Sequence, residues 1–351
     1  MNKNLRIAFV IFLALGLVSC AEQGGLKAGT ATGKSMLKLI PADSKVVLMF
    51  DVHRAMATDS AQSALKNEQA KQKYDEFVKM SGIDPMKDIY FLAVGLTAIT
   101  GKEPDGAMVL NLKYSKDRLL AKLKETAKDM REESYNGITL YKGLEAGKSE
   151  SEGPVGAFLD DSNIVLGNVK GVKAVIDVFQ KKADSVDKTA EMKKTFKAVN
   201  TDAMFWGAVA VPQDMIKAQA EKNPMLKDLV GLTAMTMSFD YANRSLTVEI
   251  QGLGGTKEQN KSLAEKLSAL KGMGAMMAGQ QPVLGELLGR VEISSAAGNV
   301  KIYAGIPSEL LEKAQKMAQE KVGQMIQINP QSPKDEKKDE KKEEKKEEVK
   351  K

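Results

Sequence analysis

The sequence has very few of the residues on which common catalytic and metal sites depend. Among 351 residues there is one histidine, His53, and one cysteine, Cys20. Zinc sites built from His and Cys need three or four such ligands, so they are excluded by count. A single Cys also excludes a disulfide framework. No Gly-x-Ser-x-Gly segment occurs, which removes the usual motif of an α/β-hydrolase nucleophile.

The formal charge of +6 gives little support to nucleic-acid binding. Lys3 and Arg6 contribute two of these charges, and the segment 334–351, with nine Lys and eight Asp or Glu, contributes one. Residues 20–333 therefore carry a net charge of only +3. We expect no nucleic-acid partner.

The N-terminus has the pattern of an export signal. Two basic residues precede an apolar run over 7–18, which is shorter than the roughly 20 residues of a membrane-spanning helix. A basic start, an apolar centre and a small residue before the cleavage point predict a signal peptide over 1–19.

The cysteine at this cleavage point is the most informative residue of the chain. Leu17-Val18-Ser19-Cys20 resembles the lipobox of bacterial lipoproteins. The resemblance implies that Cys20 is lipidated, becomes the mature N-terminus and anchors the protein to a membrane of the cell envelope. In lipoproteins resembling those of enteric bacteria, an Asp after the Cys favours the inner membrane; Ala21 stands here, so we expect the outer membrane. The alternative is an incidental cysteine in a discarded signal.

Two segments near the ends of the chain predict little structure. Residues 20–35 are small, polar and rich in Gly, which predicts a flexible tether between lipid and fold. Over 330–351, prolines lead into alternating pairs of Lys and acidic residues, so like charges recur four residues apart and weaken a helix. We predict a disordered Lys/Glu-rich tail there.

Between these ends, strand patterns alternate with helix patterns. Residues 106–114 alternate in polarity, as a strand with one buried face does, and residues 116–130 carry apolar side chains at helical spacing. One-face alternation with hairpins predicts an α+β fold, in which antiparallel sheets have helices packed on one face. The order strand, helix, hairpin, helix, strands, helix occurs twice. This predicts an internal duplication over 36–185 and 190–325.

The first half also resembles a loose group of uncharacterised bacterial envelope proteins. The similarity rests on Leu39-Ile40-Pro41-Ala42-Asp43 before the first strand, and on Gly82-Ile83-Asp84-Pro85-Met86-Lys87-Asp88. These are mostly turn and capping residues. The resemblance implies no activity, because the group has no function that can be transferred.

Two motifs raise the question of catalysis. Residues 28–35, Ala-Gly-Thr-Ala-Thr-Gly-Lys-Ser, fit a relaxed phosphate-binding loop with Ala in place of the first Gly. A working loop lies between a strand and a helix N-terminus, whereas no strand precedes this segment, so we interpret it as linker and expect no nucleotide. His53 stands beside Asp51 and Arg54, and general acid–base work is one hypothesis for it. A structural histidine at the end of a strand is the other.

The remaining candidates are acidic pairs and a methionine cluster. Glu132-Glu133 and Asp160-Asp161 could serve glycoside hydrolysis or calcium binding, but both lack calcium-loop spacing and favour solvated turns. Met273, Met276 and Met277 lie in a Gly-rich segment that we predict to be a mobile loop over a sheet. Core or lid packing is the first interpretation, an apolar ligand site the second and Cu(I) the third. We expect no cofactor.

A tethered chain without a recognisable catalytic constellation predicts a non-enzymatic binding or scaffolding lipoprotein of the envelope. Its partners would be the membrane, through the lipid on Cys20, and an envelope protein. Carriage of an apolar ligand in a Met-lined site is the alternative. A hydrolase without a recognisable motif is the third hypothesis.

Overall fold

The computed structural model describes residues 27–97, 105–126, 130–143 and 153–328. The predicted signal peptide over 1–19, the lipidated Cys20 and the disordered tail over 330–351 lie outside the described residues. Those three statements therefore stay predictions.

The described residues form one sheet of twelve strands in which all neighbours are antiparallel. The strand order is β11-β12-β10-β9-β8-β1-β2-β3-β7-β6-β5-β4. The strands are β1 (Val46–Asp51), β2 (Ile89–Leu96), β3 (Gly106–Leu112), β4 (Arg131–Tyr135), β5 (Ile138–Lys142), β6 (Val155–Phe158), β7 (Asn163–Gly167), β8 (Phe205–Ala210), β9 (Leu232–Ala242), β10 (Ser245–Gly254), β11 (Val291–Ala296) and β12 (Asn299–Pro307).

Helices connect these strands, and several begin at residues whose side chains cap the first turn. Asn168 accepts a hydrogen bond from the N–H of Gly171, for example, which satisfies one of the free donors at a helix start. The helices are α1 (Gly33–Met36), α2 (Val52–Met56), α3 (Asp59–Ala64), α4 (Glu68–Ser81), α5 (Pro85–Asp88), α6 (Lys116–Thr126), α7 (Val169–Phe179), α8 (Ala190–Phe196), α9 (Gln213–Lys222), α10 (Lys257–Met277), α11 (Pro282–Gly289) and α12 (Ser308–Ile328).

The strand order on the two sides of the β1–β8 pair corresponds. Outward from this pair, one side runs β1-β2-β3-β7-β6 and the other β8-β9-β10-β12-β11. In each half the first strand leads through helices to a hairpin, then through a helix to a later hairpin whose strands enter the sheet in reverse order. The hairpin β4–β5 is an addition to the first half. β1 and β8 join both halves into a single sheet, and the internal duplication over 36–185 and 190–325 stays a prediction.

The α+β class is confirmed, but helices cover both faces of the sheet in the first half rather than one. Met36 and Val172 from α1 and α7 share the main core cluster on one face. Phe77 and Leu119 from α4 and α6 pack on the other face. The residues of β3 over 109–112 are all buried, a pattern that needs cover on both sides.

The prediction of a flexible tether over 20–35 is wrong for residues 27–35, which pack into the fold. Ala28 is 2% exposed and belongs to the main core cluster. The backbone N–H of Gly29 donates to Oδ1 of Asn111, at 3.2 Å. Small residues suit a linker, but they also let a backbone lie close to a sheet, so composition alone did not distinguish the two.

Candidate functional site

The predicted mobile loop around Met273 is a helix. It belongs to α10, which begins with a capping box: Oγ1 of Thr256 accepts from the N–H of Gln259, and the Gln259 side chain accepts from the N–H of Thr256. Its first turns are fixed by Leu263 and Ala264, which form a core cluster with Val300 of β12. The helix that these packed turns begin continues through the glycine-rich segment that follows.

Helix α10 runs along β11 and continues past its start. Near one end, Nδ2 of Asn260 donates to the carbonyl of Ala296, at 3.3 Å; near the other, Nζ of Lys271 donates to the carbonyl of Val291, at 2.5 Å. The helix rises about 16 Å between these two residues, and β11 spans about 17 Å, so the two elements lie side by side. The last six residues of α10 therefore extend about 9 Å beyond the end of the strand.

The extended end of α10 presents apolar side chains to solvent. Met273 is 49% exposed, Met276 76% and Met277 84%. They do not line an enclosed site of the described chain. Together with Leu270 and Leu284, which are 48% and 36% exposed, we call these five side chains the apolar tip.

The segment that holds four of the five side chains of the apolar tip has no charged residue. No Lys, Arg, Asp or Glu occurs from Gly272 to Gly285. Helix α11 turns back against α10, and a Cβ at Gly274 would lie 3.4 Å from Leu288, an ordinary van der Waals contact. The result is a helical hairpin whose connecting end carries no charged side chain.

Half-buried apolar side chains continue onto the sheet on the side that α10 covers. Paired residues of antiparallel strands point to the same face. Ile293, which packs against α10, therefore shares a row with Ile302, Ile250 and Met237. The next row holds Val291, Ala304, Val248 and Phe239, of which only Ala304 is fully buried.

The residues beside His53 serve structural contacts. Oδ1 of Asp51 accepts from the N–H of Arg54 at 3.0 Å, which caps α2. The Arg54 guanidinium contacts Oδ1 of Asp240 at 2.6 Å and donates to the carbonyl of Asp202 at 2.6 Å, so it ties the first half of the chain to the second.

The two acidic pairs have different environments. Glu133 lies between Lys142 and Lys173, whose hydrogen bonds hold its pKa at about 2, below the ordinary 4.5. Asp160 accepts from the N–H of Ser162 and from the amide of Asn163, which is turn chemistry as predicted. In the part of the chain that the structure describes, no three His, Cys, Asp or Glu residues are grouped so as to hold a metal ion.

The phosphate-loop match over 28–35 has the geometry of a helix cap. Oγ1 of Thr32 accepts from the N–H of Ser35, and Oγ of Ser35 accepts from the N–H of Thr32. Side chains thus occupy N–H groups that a phosphate loop would turn toward its ligand. Gly33 packs against the ring of Trp206 instead.

The fold and the surface together define an α+β protein of two joined halves that displays an apolar helix end. The chain belongs to the family described as "Protein of unknown function (DUF3352)", whose model matches residues 6–281. No curated protein matches the sequence. No helix among the residues described is long and apolar enough to cross a bilayer.

Solved structures of TP0453 are similar to this chain at low identity. Its crystal form III has a TM-score of 0.47 at 12% identity, covering 78% of this chain and 95% of that one. Crystal form I has a TM-score of 0.45 at 13% identity, covering 78% and 94%. Similarity at this level transfers no function.

Proposed function

We propose that the protein is a lipid-anchored, non-enzymatic binding protein of the bacterial envelope, attached through Cys20, with the outer membrane as its location. The observation that supports binding is the apolar tip. Contiguous exposed apolar side chains on a folded protein mark a contact surface more often than a solvated one. The anchor itself rests on the lipobox resemblance.

Labelling with a fatty-acid probe tests the anchor. The wild-type protein should incorporate the probe, and the Cys20→Ser variant should not, because the thiol is the acceptor. Equal labelling of both proteins would contradict the anchor.

In the same strains, His53→Ala should leave resistance to envelope stress intact. Loss of that resistance, with the variant still folded and labelled, would favour the hydrolase hypothesis.

Carriage of an apolar ligand is the second candidate, and the half-buried rows on the sheet favour it. Val248 lies in one of these rows, whereas its neighbour Thr247 points to the opposite face. Native mass spectrometry should then show a bound apolar molecule that Val248→Glu abolishes and Thr247→Glu retains. Loss in neither variant would exclude these rows as the binding surface.

A further inference from the structure

We infer that the apolar tip inserts into the surface of a lipid bilayer, so that the membrane holds the protein at a second point besides Cys20. The inference rests on the proposed function for the first point, the lipid. The binding partner of the apolar tip would be the hydrocarbon of the bilayer rather than another protein.

The start of the described chain and the apolar tip lie at the same end of the sheet. Gly29 is bonded to Asn111 near the end of β3, and α10 passes Val291 at the start of β11. The strand register connects these two places. Neighbouring residues on successive strands form one row that begins at Asn111 and crosses the sheet to β12: Asn111, Phe91, Asp51, Met204, Asp240, Thr247 and Gly305. The residue before Gly305 is Ala304, which pairs with Val291 of β11.

The reach of the chain before residue 27 fits a common membrane plane. Cys20 is seven residues before Lys27, which spans at most about 25 Å when extended. The apolar tip extends about 9 Å beyond the start of β11, and the reach of the chain before Lys27 lets a lipid on Cys20 meet the same membrane. Six strand intervals separate β3 from β12, about 29 Å, so the lipid and the apolar tip would be two distinct contacts.

The chemistry of the apolar tip suits hydrocarbon better than a protein partner. Five side chains are far fewer than the roughly 20 to 30 residues that each side of a stable protein interface contributes. Methionine side chains are flexible and need no shaped pocket.

The flanking charges predict how binding should depend on salt. Lys271 donates to a backbone carbonyl, and Arg290 lies 3.9 Å from Glu286. Lys271 keeps its positive charge in that hydrogen bond, whereas the charges of Arg290 and Glu286 offset each other. These flanking residues carry one net positive charge, so binding should depend only weakly on anionic lipid or on salt.

Flotation with phosphatidylcholine vesicles tests the inference without the lipid anchor. The chain from Ala21 onward retains every described residue and lacks both the signal sequence and Cys20. It should float with the vesicles at low and at high salt. Met276→Ser combined with Met277→Ser should weaken partition by on the order of tenfold or more, because two apolar side chains no longer leave water.

The matched control replaces the same residue type elsewhere. Met235 of β9 is 41% exposed and lies outside the apolar tip, so Met235→Ser should float like the unsubstituted chain. Fluorescence of Trp206, the only tryptophan and fully buried, verifies that each variant is folded.

Three outcomes would overturn the inference. They are no flotation of the unsubstituted chain, equal flotation of the double variant, and flotation that requires anionic lipid. Concentration-dependent association that the double variant loses, without vesicle binding, would assign the apolar tip to a second copy of the chain. Failure of the lipid anchor is read separately, from fatty-acid labelling at Cys20.

Discussion

Replacing Gly33 by Ala tests whether the segment 27–35 is part of the fold. A Cβ at this position would lie 2.7 Å from Nε1 of Trp206 and 3.1 Å from the carbonyl oxygen of Thr201. The indole is fully buried and meets Phe196 edge to face, with ring centroids 5.7 Å apart. The added methyl therefore meets a rigid ring and backbone, neither of which can move without disturbing the core.

The expected change in the free energy of unfolding follows from two opposing effects. Overpacking of a core costs about 1–3 kcal/mol. Replacing Gly by Ala in a helix returns about 0.4–1 kcal/mol by restricting the unfolded chain. We expect Gly33→Ala to destabilise the protein by about 1–2 kcal/mol.

Gly272 of α10 supplies the matched control, since a Cβ there would meet no atom within 4 Å. Gly272→Ala should stabilise the protein by about 0.5–1 kcal/mol, the opposite sign. Urea unfolding followed by the fluorescence of Trp206 measures both variants. If Gly33→Ala were neutral or stabilising, like the control, the packing of residues 27–35 would be refuted and the flexible tether restored.

Two further predictions concern charge. Hydrogen bonds from Lys142 and Lys173 depress the pKa of Glu133 to about 2. The ionised carboxylate therefore stabilises the fold above pH 4.5, and this stabilisation is lost as the pH falls toward 2. Glu133→Gln should flatten that part of the acid-unfolding curve, and an unchanged curve would contradict the pairing. Deleting residues 334–351 should leave the urea midpoint unchanged, because this charged segment has almost no apolar surface to bury; a lower midpoint would show that the tail packs on the fold.

Local chemistry allowed much of the fold to be predicted. The predicted turn at Asp160-Asp161 is present, because Asp160 accepts from the N–H of Ser162 directly before β7 begins at Asn163. β4 was missed because Glu132 and Glu133 gave it no apolar alternation; it is the last strand of the sheet, where charged side chains are common.

The apolar tip could be predicted only in part. The sequence shows Met273, Met276 and Met277 as a cluster, but the glycines between and around them favoured the prediction of a loop. The helix depends instead on a capping box at Thr256, seventeen residues before Met273, and on packing against β11 and β12. Such long-range pairing is not visible in a local pattern, and the same holds for the β1–β8 pair.

The β1–β8 pair also sets an order on how the chain is completed. Val46 pairs with Val209, so this side of Val46 has no backbone partner until more than 160 further residues have been synthesised. β1 carries Val46, Val47, Leu48, Met49 and Phe50 in succession, a segment well suited to pair with any strand it meets. Because loop closure over such a distance is slow, an incomplete chain exposes an aggregation-prone edge at its centre. A partly synthesised chain therefore passes through an interval in which this edge is unpaired, and that interval ends when β8 is available.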